Sequence, residues 1–291
     1  MTILVTGGNG QLATELAAQG GAAIRKVGRP EFDFDRPESI AAVFQAARPA
    51  LVINAAAYTG VDAAEADEAA AMRANRDGPA CLAGLCEQAG IPLVHVSTDY
   101  VFDGRKGAPY VETDPVSPQG VYGASKLAGE EAVLAGCSRV VVLRTSWVYA
   151  PRGRNFVLTM LNAAKKTNRL RVVADQRGSP TSAGDLAAAI LALPFVSGPW
   201  REEYRGVFHA AAAGETTWHG FACAIFEAAA SYGVSAPVIE PIATSDWPTP
   251  ARRPPDSRMD CTKLGEVFGV RLPPWRDGLA RTIKRIFAES P

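Results

Sequence analysis

The opening residues constrain the fold more than any other stretch of the chain. Ile3-Leu4-Val5-Thr6 is a short apolar run that breaks into Gly7-Gly8-Asn9-Gly10, after which Leu12, Ala13, Leu16 and Ala17 recur at helical spacing. A strand, a glycine turn and a helix in that order begin a parallel α/β unit. The rhythm continues: Ala50 to Ala57, Pro92 to Thr98 and Arg139 to Thr145 read as strands, with helical stretches at about Asp62 to Ala89 and Tyr122 to Ala135 between them. Strands that are apolar along their whole length need a sheet covered on both faces.

After Trp147 the pattern weakens. Ala150 to Asn155 and Asp175 to Thr181 read as loops around a site, while a helix at Gly184 to Leu193 and a strand at Gly206 to Ala211 return to the sheet. Helices at Trp218 to Tyr232 and Asp277 to Ala288 supply a smaller lobe, and the proline-rich Pro248 to Pro255 reads as a rigid loop between them.

Composition narrows the partners. The chain has 291 residues, 47% of them apolar and 21% charged, which excludes a disordered chain, a collagen-like chain and a coiled coil. Thirty basic residues balance thirty acidic ones, so charge gives no pull toward nucleic acid or a membrane surface. The first apolar run is too short for a signal segment, and no apolar run reaches membrane length. Cytoplasm is the expected compartment. The five cysteines are scattered without a metal-site spacing and are expected to be reduced packing residues.

Gly8-x-Gly10-x-x-Ala13 fits the dinucleotide fingerprint, and Gly7-x-x-Gly10-x-x-Ala13 fits a variant spacing with Ala13 in place of the last glycine. Both readings put the turn at a phosphate. Glycines accept the unusual backbone angles there, and the helix that follows presents free N–H groups. The expected fold is therefore α/β: a Rossmann-type doubly wound parallel sheet, residues 1–146 with 176–215 returning to it, and a substrate-binding lobe from residues 147–175 and 216–291. The second strand ends near Val27-Gly28-Arg29, where a chain specific for NAD offers a carboxylate to the ribose. Arg29 offers a guanidinium that can pair with a 2′-phosphate, so NADPH is the expected cofactor, with NADH also accepted. The competing readings are a solvated loop charge at Arg29 and a reach to the ribose by Glu31.

Tyr122-Gly123-Ala124-Ser125-Lys126 puts a phenol and an ammonium on one helix face. Alone, such a pair is most often a surface feature with no role. Here the strand Pro92 to Thr98 delivers Ser97-Thr98-Asp99 to the edge of a parallel sheet where ligands bind. A neighbouring lysine favours the phenolate, and a phenol placed at a carbonyl oxygen protonates it as hydride arrives at carbon. One of the two hydroxyls can make a second hydrogen bond to that oxygen.

With the glycine turn, Asn54-Ala55-Ala56-Ala57, Ser97-Thr98-Asp99-Tyr100-Val101-Phe102-Asp103-Gly104 and the Tyr-x-x-x-Lys pair in order, the chain resembles the extended short-chain dehydrogenases. More narrowly, Ile53 to Asp62, Arg144 to Tyr149, Gly178-Ser179-Pro180-Thr181 and Arg253-Pro254-x-x-Ser257-Arg258 are similar to the dTDP-4-dehydrorhamnose reductase family, over essentially the whole chain. The resemblance implies Thr98, Tyr122 and Lys126 as a catalytic triad, Tyr122 as proton donor and Lys126 on the nicotinamide ribose. It implies Gly10, Gln11 and Leu12 at the pyrophosphate, Asp33 and Phe34 at the adenine side, and Ala57, Tyr58 and Thr59 near the nicotinamide. Thr98 and Asp99 would meet the sugar, and Trp147 would cover it. Trp147 as core packing is the competing reading.

The implied reaction is reduction of the C4 keto group of dTDP-4-dehydro-L-rhamnose to dTDP-L-rhamnose, a step toward deoxysugar and cell-surface polysaccharide. Arg258 and Arg253 are candidates for the substrate diphosphate. Gly184-Asp185 stands where some relatives carry an acidic pair that helps bind a metal at a dimer contact; Glu15 alone does not make that site, and no metal is expected. A reductase of another 4-keto-6-deoxy sugar nucleotide, such as a 6-deoxytalose-forming one, stays open. So does an NADP-binding regulatory subunit of a methionine adenosyltransferase. The oligomeric state, a homodimer among the options, stays open too.

Overall fold

The computed structural model describes residues 1–288. Strand β1 (Ile3–Thr6) is followed by α1 (Gln11–Gly20), β2 (Ile24–Val27), α2 (Pro37–Ala47) and β3 (Leu51–Asn54). The segment expected as one helix is divided into α3 (Val61–Ala64), α4 (Glu68–Met72) and α5 (Gly78–Ala89), with a turn of π-helix at Arg73–Asp77 joining the last two. Asp67 ends the break by accepting from the Ala70 amide at 3.1 Å, an N-cap that starts a fresh helix. Next come β4 (Leu93–Thr98), α6 (Val121–Gly136) and β5 (Val140–Thr145).

The chain then passes through β6 (Val148–Tyr149), α7 (Phe156–Ala164), β7 (Arg169–Val173), β8 (Arg177–Gly178) and β9 (Thr181–Ser182). It returns by α8 (Ala183–Leu191), α9 (Pro194–Ser197) and β10 (Gly206–His209). The last part is β11 (Thr216–Thr217), α10 (Trp218–Ala229), β12 (Val238–Ile242), α11 (Thr262–Phe268) and α12 (Trp275–Ala288).

Six strands form one parallel sheet in the order β10-β5-β4-β3-β1-β2. Side-chain alternation divides their residues between two cores. Ile3, Val5, Leu51, Ile53, Val141 and Leu143 face α1, α8 and α11; Leu4, Val52, Leu93, Val140 and Val142 face α2, α5 and α6. Both faces are covered, as an apolar parallel sheet requires. Because the chain goes from β1 to β2 on one side and then to β3 on the other, the order reverses between β1 and β3. A crevice opens at the carboxyl ends of strands at such a switch point, and the glycine turn and the loop after Asn54 both lie there.

A separate core joins Val157, Leu161, Leu170, Val172, Phe221, Ile225, Trp275, Leu279 and Ile283 around the parallel pair β7 and β12. The sequence reading missed α2, α7, α11 and this strand pair. Leu264 and Phe268 of α11, expected in the smaller lobe, pack on the main sheet with Phe208, because Phe268 fills the space beside Phe195 and Tyr204. No described helix is long and apolar enough to cross a membrane.

Candidate active site

The cofactor turn is shaped by close backbone contacts. Gly7 and Gly8 have φ of +110° and +52°, and the Gly10 amide closes the turn on the Gly7 carbonyl at 2.8 Å. A Cβ on Gly7 would lie 3.0 Å from the Ala55 carbonyl oxygen. Gly28, just past β2, is needed for the same reason: its Cβ would lie 2.5 Å from the Gly8 Cα. Gly10 is the N-cap of α1 and has no side chain to cap its amides, so the N–H groups at Gln11 and Leu12 stay available to an anion. The Gln11 side chain is held from the other lobe, accepting from Asn155 at 2.8 Å.

Gly28→Ala is expected to displace the turn, since the clash is with main chain that cannot swing aside. It should weaken NADPH binding about ten-fold or more and cost ~1–3 kcal/mol of stability. Fluorescence titration with NADPH and urea unfolding check this; unchanged affinity would show that the turn has room to relax.

At the end of β2, Arg29 is exposed and paired with Asp33 and Asp35 at 3.0 and 2.9 Å. Arg73 meets the other oxygen of Asp35 at 2.8 Å, and Arg36 lies 3.8 Å from Asp33. The expected lone guanidinium is thus one of a cluster with Arg36 and Arg73, which chain distance hid. Glu31 faces Arg25 instead, at 3.0 Å. Phe34 is buried against the Gly78 backbone in the sheet core, so its ring packs the fold, while Asp33 stays at the edge of the crevice. Ala57, Tyr58 and Thr59 lie in the loop after β3. That loop is fixed by Asn75, which accepts from the Tyr58 amide at 2.8 Å and donates to the Tyr58 carbonyl at 3.1 Å. The π-turn is what aims Asn75 inward, a role no helical periodicity revealed.

Thr98 ends β4 in register with Thr145 of β5. Its hydroxyl donates to Asp99 at 3.1 Å and accepts from the Tyr100 amide at 3.2 Å. Ser97, the other candidate hydroxyl, points away from the crevice and donates to buried Glu130, which also holds Arg144 at 2.7 Å. Thr98 is therefore the hydroxyl left for a ligand. Tyr122, in the first turn of α6, packs edge-on to Tyr100 with ring centroids 5.5 Å apart. Burial pushes its phenol up to about 12; interaction with the Thr98 hydroxyl lowers it less, and the Asp99 charge raises it again. Lys126 is not among the groups that shift this phenol, and burial is the largest of those that do. Lys126, 2% exposed, donates to the Val96 carbonyl at 2.7 Å. Burial lowers its ammonium to about 8, against the opposing pull of Glu130. Asp99 is buried and raised to about 6, and its Oδ2 has no hydrogen-bond partner among the described residues.

Trp147 has φ +48° and lies face to face with Trp218 at 3.6 Å, over the Gly178 backbone. It stands two residues beyond Thr145, on the same edge of the sheet as Thr98. Arg258 is taken up by Asp256 and Glu215, at 2.6 and 2.5 Å, and those carboxylates raise its pKa further. Arg253 has a single carboxylate, Asp62, at 2.8 Å and lies close enough to Tyr100 for the two to interact. Of the two arginines weighed from sequence, Arg253 is the one beside the tyrosine pair. Glu15 is paired with Arg285 and Asp185 with Arg281, at 2.8 and 2.7 Å, so α12 supplies cations to both carboxylates.

The chain is similar to known proteins along its whole length. The family described as RmlD substrate binding domain matches residues 1–287. A dTDP-4-dehydrorhamnose reductase of Burkholderia thailandensis is 44% identical over 99% of the chain and 100% of that protein. The crystal structure of a dTDP-4-dehydrorhamnose reductase from Clostridium acetobutylicum superimposes with a TM-score of 0.90 at 35% identity, covering 98% of this chain and 99% of that one. The Bacillus anthracis enzyme of the same name, solved in complex with NADP, gives 0.89 at 34% identity, covering 98% and 100%.

Proposed function

This chain belongs to the family of dTDP-4-dehydrorhamnose reductases, and we infer that it reduces the C4 carbonyl of dTDP-4-dehydro-L-rhamnose to dTDP-L-rhamnose using NADPH. The observation that carries the reading is the phenol of Tyr122: half-buried in the first turn of α6, pushed up toward its protonated form, and close enough to the Thr98 hydroxyl at the end of β4 for the two to interact.

Residues Gly7 to Leu12 would cradle the pyrophosphate, Arg29 with Arg36 and Arg73 the 2′-phosphate, Asp33 and the Phe34 main chain the adenine side, and Ala57 to Thr59 with Tyr122 and Lys126 the nicotinamide end. Bound NADPH supplies the hydride. What the protein supplies is control of charge and proton. Thr98 turns its hydroxyl proton from Asp99 to the carbonyl oxygen as negative charge grows there, and Tyr122 delivers its proton to that oxygen. An elevated phenol pKa suits this direction, since the group must hold its proton until a stronger base forms. Lys126 holds positive charge at the base of the pair. Asp99 and Trp147 would meet the sugar, and Arg253 its diphosphate.

The test is NADPH oxidation with dTDP-4-dehydro-L-rhamnose, with identification of the sugar product. dTDP-L-rhamnose supports the reading, and the C4 epimer moves it to a 6-deoxytalose-forming reductase. Tight NADPH binding with no turnover would favour a regulatory role. In the same assay Arg29→Ala is expected to raise KM for NADPH about ten-fold while leaving that for NADH nearly unchanged, the loss of one charge-assisted pair being worth ~1.5 kcal/mol. Equal effects on both cofactors would take the 2′-phosphate away from Arg29.

A further inference from the structure

Asn54, the last residue of β3, and His95, within β4, are polar side chains in the middle of the sheet that have no part in the chemistry above. Both are buried, at 1% and 0% exposure. They belong to one hydrogen-bonded chain across the sheet. The Thr6 hydroxyl donates to Asn54 Oδ1 at 2.6 Å, and the Ala56 amide approaches the same oxygen at 3.3 Å. Two donors on Oδ1 orient the amide and leave its NH2 to His95 Nδ1, at 3.0 Å. The other ring nitrogen, Nε2, lies 3.5 Å from Lys126 Nζ.

We propose that His95 is a positioning residue for Lys126, fixing through the chain Thr6, Asn54 and His95 where the lysine nitrogen sits and which group faces it. The direction of the chain sets the tautomer. A neutral imidazole that accepts at Nδ1 carries its proton on Nε2, so an N–H points at Nζ. An ammonium has only donors to offer it, whereas a neutral amine has a lone pair to accept it. His95 therefore favours the amine over the ammonium and makes Lys126 release its proton more readily. Burial and the Lys126 charge hold the imidazole well below its usual pKa, which keeps it in the neutral form the chain needs.

Other charges around Lys126 are accounted for. Glu130, one turn along α6, favours the ammonium but is shared with Arg144 of β5 and Ser97 of β4. From the π-turn, Arg73 and Arg76 are half-exposed and paired with Asp35 and Asp77. Asp99, at the end of β4, acts on Tyr122 and Tyr100. Only His95 presents a ring nitrogen within 3.5 Å of Nζ among the described residues. Its start at Thr6, next to Gly7, ties the position of the lysine to the strand that carries the cofactor turn.

The kinetic arm of the test rests on the reductase reading; the spectroscopic arm does not. In protein labelled with ¹⁵N-histidine and free of ligands, the His95 resonances are expected to show a neutral Nε2–H imidazole from about pH 5 to about pH 9. A Nδ1–H tautomer, or a ring that titrates in that range, would overturn the proposal whatever the protein catalyses. His95→Gln places a carbonyl within reach of the ammonium. If loss of the Lys126 proton, held down to about 8 by burial, limits activity at high pH, the substitution should move the alkaline limb of the kcat/KM profile upward by about one pH unit. NADPH affinity should change by less than about five-fold, well short of a full ion-pair loss. A limb that stays in place in folded His95→Gln would also overturn it, because loss of packing alone lowers activity without shifting the profile.

Discussion

Tyr122→Phe is expected to lower kcat by about 10²–10⁴-fold, the usual contribution of a positioned general acid, with NADPH affinity held within a few-fold. The substitution removes one oxygen and leaves the ring, so the edge-on contact with Tyr100 survives and the fold is not disturbed. The proton it removes has no ready substitute. Thr98 can donate a hydrogen bond but is tied to Asp99 and the Tyr100 amide, and Lys126 is turned to the Val96 carbonyl. Asp99 is raised only to about 6, so at neutral pH it is mostly ionised and offers little acid. Steady-state kinetics on the sugar nucleotide, with NADPH binding measured separately, decide the matter. If Tyr122→Phe keeps more than about a tenth of the parent kcat, the proton comes from elsewhere and Tyr122 serves only to shape the site.

The parts of this site that could be read from sequence are those whose chemistry is local. Gly7 to Gly10 form one turn, and Tyr122 and Lys126 share one helix face, so spacing was enough to group them, while proposing them as a site also took the strand that ends in Thr98 and, for Gln11 and Leu12, the resemblance. The sheet was equally legible, because apolar runs such as Leu51–Asn54 and Val140–Thr145 are buried on both sides and could be nothing else. What could not be read depends on meetings between distant segments. Arg73 joins Arg29 only because the helix after β3 lies beside the end of β2. Arg258 was a candidate for the diphosphate, and Glu215, 43 positions away, joins the nearby Asp256 in pairing with it. The strands β7 and β12 pair across an intervening α8, β10 and α10, and neither has the apolar continuity of the main sheet, since Arg169, Arg171 and Glu240 alternate along them. Asn54 and His95 did carry a signal, a polar residue inside an apolar strand, which calls for a buried partner.

Glu130→Ala is the substitution expected to damage stability most. Glu130 and Arg144 have side chains only 2% and 5% exposed, and the carboxylate takes two hydrogen bonds from the guanidinium Nε and Nη2 besides one from Ser97. Removing one partner leaves an uncompensated buried charge on Arg144, whose Nη1 already has no hydrogen-bond partner among the described residues. Breaking such a pair costs about 3–5 kcal/mol, which for a chain of this size lowers Tm by roughly 10 °C. The pair itself need not be strongly stabilising, because both ions were taken out of water to form it. Glu130→Leu combined with Arg144→Met should therefore recover most of the loss, as apolar groups of similar volume fill the same space without a charge to solvate. The two variants separate stability from function. Ser97 loses its acceptor in both, and with it the tether just before Thr98, so the double variant should regain its Tm while kcat stays reduced. Urea unfolding of the single and double variants beside the parent measures the first part. A single variant within about 1 kcal/mol of the parent would show that water reaches Arg144, and the pair would then count as an exposed one.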